Sequence, residues 1–404
     1  MTPDGDLNTL AEFFQGNGEE PLSGVILATD GNFYGTTSEG GTAAQGTVFK
    51  VSSTGVLTSL YSFCPQFDCS DGAMPYAGLV QGADGSFYGT TYKGGVYGDG
   101  VVFKISSSGK LTTLYSFCSQ FQSTCLDGEF PQGTLIQAGN GDLYGTTTSG
   151  GPLNDGTVFR ITTSGKLTTL HSFNYMDGVN PQGALFQGKD GNLYGTTFSG
   201  GTRNNGTVFR LTPAGSLTSI YSFCAQQFCA DGAGPTGGVI QASDGNFYGT
   251  TSLGGSTNNG VIYEITQTGN VTILHTFYTQ GYPNCADGFA SQASLLQGTD
   301  GILYGTTTIG GTSDDGTVFS LNAGLSPYVR ALPGSGAVGS EIGILGTDLR
   351  GALGVTFNGI AAKFNVVSSS LILTHIPVGA TTGIIKVTLP SGTLVGNVPF
   401  YVLP

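Results

Sequence analysis

Short apolar runs and polar turns alternate along most of this chain, and the alternation itself repeats. Residues 78–117 show one cycle. Gly78-Leu79-Val80-Gln81 reads as a short first strand, and Asp84-Gly85 is a two-residue hairpin signal. Phe87-Tyr88-Gly89-Thr90-Thr91, rich in aromatic and β-branched residues, reads as a second strand. A glycine loop, Gly94-Gly95 to Gly100, leads to a third strand, Val101-Val102-Phe103-Lys104-Ile105. Ser108-Gly109 turns the chain into a fourth, residues 111–117. A cysteine-bearing loop, Asp127-Gly128 and Pro131 then restart the cycle. No segment carries the 3.6-residue period of an amphipathic helix.

Tyr-Gly-Thr-Thr tetrads begin at Tyr34, Tyr88, Tyr144, Tyr194, Tyr248 and Tyr304, at spacings of 54, 56, 50, 54 and 56 residues. A period in this range marks a repeat architecture, and four antiparallel strands per roughly fifty residues is the pattern of a β-propeller blade. The last repeat has no fourth-strand sequence, whereas residues 7–14 (Leu-Asn-Thr-Leu-Ala-Glu-Phe-Phe) match that strand and are followed by Asn17-Gly18 and Pro21. The expectation is a six-bladed propeller of four-stranded blades closed by the N-terminal strand, which leaves no open sheet edge. Chain direction puts the Asp-Gly hairpins on one face. The longer cysteine and Gly-Gly loops fall on the other, where sites more often lie.

The pattern changes near Leu325. Pro333-Gly334-Ser335-Gly336, Gly346-Thr347-Asp348-Leu349, Val355-Thr356-Phe357-Asn358-Gly359 and Ile385-Lys386-Val387-Thr388 suggest short strands broken by glycine and proline turns. An immunoglobulin-like β-sandwich is expected over 326–404, after a propeller over 1–325. The whole chain is expected to be all-β.

The recurring Asp-Gly-Asn-Phe/Leu-Tyr-Gly-Thr-Thr, Gly-Gly and Gly-Thr-Val-Phe motifs resemble the GloVer-type tandem repeats of bacterial choice-of-anchor proteins, across roughly residues 7–322. The order of turns in 326–404 looks like an IPT/TIG domain. These resemblances imply an exported protein, often tethered to the cell surface, whose small domain serves as spacer or attachment module.

Composition changes the picture in three ways. The 69 glycines and 16 prolines fall at fixed repeat positions, so they read as turns rather than as low complexity. Residues 326–404 hold Arg330, Arg350, Lys363 and Lys386 against Glu341 and Asp348; the remainder keeps 9 basic and 24 acidic residues, a net of −15. Such a surface repels phosphate backbones, so nucleic acid is not an expected partner. No apolar run is long enough to span a bilayer, and the start of the chain is not a signal peptide. A mature, monomeric protein, secreted or at the cell surface, is expected.

Cysteines point the same way. Cys64 and Cys69, Cys118 and Cys125, and Cys224 and Cys229 form three close pairs at equivalent positions; Cys285 is left over, with Tyr278 where its partner would stand. Disulfides are expected, since a zinc site would need four ligands to converge from separate repeats.

The regular polar positions favour structural roles. Asp71, Asp127, Asp177, Asp231 and Asp287, with Asn17, each precede glycine; a ring of them could bind calcium, but a turn-capping carboxylate explains the repetition. Asp314 and Asp315 are a local carboxylate pair with the same two readings; no other cofactor is implied. Gln81, Gln137, Gln187, Gln241 and Gln297 share one position of the first strand, with Leu27 in the first repeat. Residues that break the repeat are better candidates for function, among them Glu39, Lys93, Tyr97, Glu129, Phe130, Arg203, Tyr278, Tyr282 and Phe289. Lys93, Tyr97, Glu129, Arg203 and Tyr282 make a ligand-binding set for a polysaccharide or surface glycan. Glu129 and Glu39 are the carboxylates that could act as acid or base if the protein were a glycoside hydrolase or polysaccharide lyase. A structural or adhesion role without small-ligand chemistry is the third reading. Only three histidines are present, His171, His275 and His375, and the first two replace fourth-strand tyrosines, so no catalytic triad is expected.

Overall fold

The computed structural model describes residues 8–66, 68–120, 124–278 and 285–403. The chain is all-β, with one 3-10 turn at Gln227–Cys229 as the only helical element among them. No helix among the described residues is long and apolar enough to cross a membrane. Two compact units divide after the third repeat, Met1–Phe173 and Asn174–Pro404.

The first unit holds three four-stranded antiparallel sheets, each in sequential order. In the second repeat the strands are Val80–Gln81, Phe87–Thr91, Val101–Ile105 and Leu111–Ser116. The register pairs Gln81 with Phe87, Phe87 with Ile105 and Ile105 with Leu111 at the hairpin end; Thr91 meets Val101 and Val101 meets Ser116 at the other. The glycine and cysteine loops therefore share one end of the sheet, and the Asp-Gly and Ser-Gly turns share the opposite end.

Several positions of the recurring octad have a physical reason. Asp84 turns the hairpin, and the Tyr88 hydroxyl, four residues on, donates to its Oδ2 at 2.8 Å. Tyr34 and Asp30 repeat the bond at 2.7 Å, and Asn140 donates to the Tyr144 oxygen at 2.9 Å instead. Gly89 is needed because a Cβ there would lie 2.6 Å from the Phe103 ring. The second threonine, Thr91, donates to the Lys93 carbonyl at 2.8 Å and closes the loop. Adjacent sheets pack face to face: Tyr34, Val48 and Phe63 share a buried cluster with Leu79, Phe87 and Phe103, and Tyr88, Val102 and Phe117 share one with Leu135, Leu143 and Phe159. Each such aromatic, fully buried, contributes about 1.5–3 kcal/mol. The repeated glutamines tie neighbours together. Gln81 Oε1 accepts from the Thr29 amide at 3.0 Å, and Gln137 Oε1 from the Ala83 amide at 2.9 Å.

The second unit repeats this design. Its fourth and fifth repeats are four-stranded sheets, and the sixth is three-stranded: Leu296–Gln297, Leu303–Thr307 and Thr317–Leu321. Tyr194, Tyr248 and Tyr304 donate to Asp190, Asp244 and Asp300 at 2.8, 2.9 and 3.1 Å. Gln241 and Gln297 accept from the Lys189 and Ser243 amides, each at 3.0 Å. The change of pattern at residues 325–326 falls inside this unit. Beyond it, one antiparallel sheet runs in the order Arg330–Leu332, Glu341–Leu345, Leu371–His375, Phe364–Val366, and another Ile360–Ala362, Gly354–Phe357, Ile385–Leu389, Gly392–Val395. Ile344 and Ile372 of the first share a core with Val355 and Val387 of the second. Ser335–Ala337 pairs in parallel with Tyr401–Leu403.

The expected closing strand is not formed. Residues 8–14 are in no strand, and the sixth repeat keeps three. A strand exists only through its ladder, and these residues make their contacts sideways instead. The Phe13 ring meets Phe49 at 4.8 Å, as Phe63 meets Phe103 and Phe117 meets Phe159, each at 5.2 Å. A Cβ on Gly55 would strike the Leu10 carbonyl, just as one on Gly109 would strike that of Leu60. The segment thus lies beside the first sheet as a fourth strand lies beside the sheet that follows it, without ladder bonds of its own. Val318 of the sixth repeat is 59% exposed where Val208 and Ile262 are buried.

Candidate functional site

Three disulfides join Cys64 to Cys69, Cys118 to Cys125 and Cys224 to Cys229, and Cys285 is free and buried. The aspartates that follow these loops anchor them. Asp127, fully buried, accepts from the Tyr115 hydroxyl at 2.6 Å, the Ser119 amide and hydroxyl at 2.9 and 2.8 Å, and the Gln120 amide at 3.3 Å. Asp231 accepts from Tyr221, Ala225 and Gln226, and Asp71 from Tyr61 and Cys64. Asp287 bonds His275 Nε2 at 3.0 Å, so that histidine stands in for a fourth-strand tyrosine. Carboxylates already engaged by N–H and O–H donors are turn caps. Asp314 is of the same kind: it accepts from the Gly310 amide at 3.1 Å, as Asn204 does from Gly200 and Asn258 from Gly254. Asp315 is exposed beside it.

Within the first unit, the loop-bearing ends of the first three repeats bring together residues that break the pattern. Tyr76 stacks on Tyr92 with ring centroids 4.8 Å apart, and Tyr92 meets Phe130 at 5.0 Å. Most other repeats carry a hydroxyl residue in place of Tyr92, and its oxygen bonds the next crossing carbonyl. Ser38 donates to Glu20, Thr148 to Phe130 and Ser252 to Gly234. Tyr92 keeps the main-chain bond of that position, to the Met74 carbonyl, and its ring covers Tyr76 and Phe130 instead. All three rings are partly exposed.

Carboxylates flank this row. The Phe130 amide donates to the Asp99 carbonyl, which sets Asp99 and Glu129 side by side. Burial, then the charges of Asp99 and Asp127, raises the Glu129 carboxyl above its usual range, with a Cys125 main-chain hydrogen bond opposing. Burial, then Asp127, raises Asp99. At the other end, burial, Tyr92 and the Glu39 carboxylate raise the Tyr76 phenol. The Asp99 carboxylate also lies within 4.8 Å of the Cys118 and Cys125 sulfurs. Those sulfurs are bonded to each other, so no thiolate is present to hold a metal. Flat, half-exposed rings beside hydrogen-bond-accepting carboxylates can stack on the apolar face of a sugar and take its hydroxyls.

Of the residues singled out from the sequence, Glu129, Glu39 and Phe130 belong to this cluster. Lys93 follows Tyr92, with its side chain exposed and its main chain bridged to Ala73. Tyr97 is 54% exposed and stacks on no ring among the described residues. Arg203 is exposed in the second unit, where its carbonyl accepts from Asn205. Tyr282 lies outside the described residues, and Tyr278 meets Phe289 at 5.4 Å. Tyr76, Tyr92 and Asp99 escaped the sequence-derived site. Tyr92 had a visible signal, an aromatic ring where Ser38, Thr148, Ser252 and Thr308 occur.

No curated protein sequence matches this one. Among solved structures, the periplasmic gluconolactonase of Pseudomonas aeruginosa aligns at 14% identity over 85% of this chain and 99% of its own, with a TM-score of 0.41. An auxiliary nutrient binding protein of Bacteroides thetaiotaomicron aligns at 14% identity over 76% and 70%, with a TM-score of 0.44. A fungal alcohol oxidase aligns at 12% over 97% and 98%, also at 0.44. The Gloeobacter/Verrucomicrobia repeat model matches three overlapping stretches, residues 1–189, 58–230 and 165–365. With that repeat spanning nearly the whole length, this chain belongs to the Gloeobacter/Verrucomicrobia repeat family.

Proposed function

We propose that this protein is a non-catalytic binder of polysaccharide or surface glycan, monomeric and working outside the cytoplasm. In this reading the six repeat sheets are blades of a propeller over 1–325, and 326–404 is an immunoglobulin-like module of the IPT/TIG type that spaces or attaches it. The observation that carries the functional reading is the row Tyr76–Tyr92–Phe130 between Glu39 and the Asp99–Glu129 pair. Three disulfides fit an oxidising compartment. The engaged turn aspartates give calcium no necessary part, so binding is expected to survive EDTA.

The test is isothermal titration with soluble plant, algal and bacterial polysaccharides, scoring new reducing or unsaturated chain ends in the same samples. Tyr92→Ser installs the residue that two other repeats carry, so it is expected to fold normally. It is expected to weaken binding roughly tenfold, a change of about 1.4 kcal/mol. Unchanged binding by this variant would remove the aromatic row from the site. The raised carboxyls of Glu129 and Asp99 favour one further reading, a carbohydrate-active enzyme with that pair as acid and base. New chain ends that disappear in Glu129→Gln would establish it.

A further inference from the structure

The second unit contains a cavity of about 360 Å³ at the hairpin ends of its sheets, away from the loops. One wall is apolar and comes from first strands and the residues beside them: Phe186, Ile240, Leu295 and Leu296. The other comes from beyond residue 325 and includes Arg330 and Asn397. Two glutamines and a tyrosine also line it, but their polar atoms are committed. Gln241 accepts from Lys189 and donates to Gly245; Gln297 accepts from the Ser243 amide and donates to its hydroxyl. The Tyr328 hydroxyl donates to the Gln297 carbonyl at 2.7 Å. Among the described residues, the side chains of Arg330 and Asn397 make no hydrogen bond and no ion pair.

The cavity therefore offers an apolar wall, one free guanidinium and one free amide. A sugar needs polar partners around its whole rim, and among the lining side chains only these two are uncommitted. A phosphate-bearing ligand would meet one cation on a chain whose formal net charge is −13. A carboxylate needs just one planar fork, which arginine supplies in bidentate form. We propose that this cavity binds a small amphipathic monocarboxylate, its carboxylate on Arg330 and Asn397 and its hydrocarbon body against Phe186, Ile240 and Leu295. The volume lies at the small end of the roughly 300–1,000 Å³ typical of ligand pockets, which suits a chain or ring of modest length. The site is separate from the aromatic row, and neither reading depends on the other.

The probes are octanoate and 1-octanol, titrated calorimetrically into the full chain. Octanoate is expected to bind at least tenfold more tightly than octanol. Arg330→Gln, at an exposed side chain, is expected to bring octanoate down to the octanol level, with the circular dichroism spectrum, melting temperature and polysaccharide binding unchanged. Val398 also lines the cavity, and Val398→Trp, which fills it, is expected to abolish both. Equal binding of acid and alcohol, undiminished octanoate binding by Arg330→Gln, or no octanoate binding by the native protein would each overturn the assignment.

Discussion

Glu129 must lose its proton beside Asp99 and Asp127, and its partial burial makes the charged form dearer still. Its folded carboxyl therefore titrates above its ordinary value of 4.5. In the window between the unfolded and the raised folded value the native state holds more protons, so stability falls as pH rises through it. Glu129→Gln removes that penalty. It is expected to raise the melting temperature at pH 7, by the equivalent of roughly 0.5 kcal/mol at so partly solvated a site, and to have no effect below pH 4. Scanning calorimetry at the two pH values checks this; an equal shift at both would mean that the carboxyl is not perturbed when folded. At this scale the sequence was half legible. Glu129 and Phe130 stand out because they break a repeat. Asp99 and Tyr92 come from the preceding repeat and join them only through sheet stacking and the Phe130–Asp99 main-chain bond.

The repeat sheet was the most legible element, because its bonds are local. Asp84 and Tyr88 are four residues apart, a spacing that recurs with aspartate in five of the six repeats and with Asn140 in the other. The repeated glutamines were harder to read. Their partners lie 52 and 54 residues away in the neighbouring sheet, a distance only the stacking supplies. The cysteine loops were legible as disulfides, but the aspartate that follows each of them and anchors it was legible only as a turn. Disulfide and aspartate constrain the same loop, so Cys224→Ala/Cys229→Ala is expected to cost about 2 kcal/mol on the loop-closure estimate while leaving the loop anchored on Asp231. Urea denaturation measures the loss. Adding Asp231→Asn to the double variant is expected to cost more than the two changes made separately, because each then lacks the other's restraint.

At the scale of the whole molecule, sequence matching reads residues 7–14 as the strand that closes the last repeat, and over the described residues 8–14 the ladder that would make them a strand is missing. The first sheet explains why the match is still meaningful. Its third strand needs something against Phe49, which is 2% exposed, and the Phe13 ring supplies it at 4.8 Å. Gly18 and Asn17 continue the imitation, since Asn17 accepts from the Phe14 amide at 2.8 Å much as Asp71 accepts from the Cys64 amide. A segment that reproduces both the side-chain contact and the cap of a fourth strand packs against the first sheet. Deleting residues 1–15 uncovers Phe49 and is expected to destabilise the protein by about 2 kcal/mol, of the order of one buried aromatic side chain. Phe13→Ala alone is expected to account for most of that loss. If the deletion costs far more than Phe13→Ala, the segment must contribute beyond the Phe49 contact, as a true fourth strand would. If neither change moves the unfolding midpoint, the N-terminal segment is no part of the folded core.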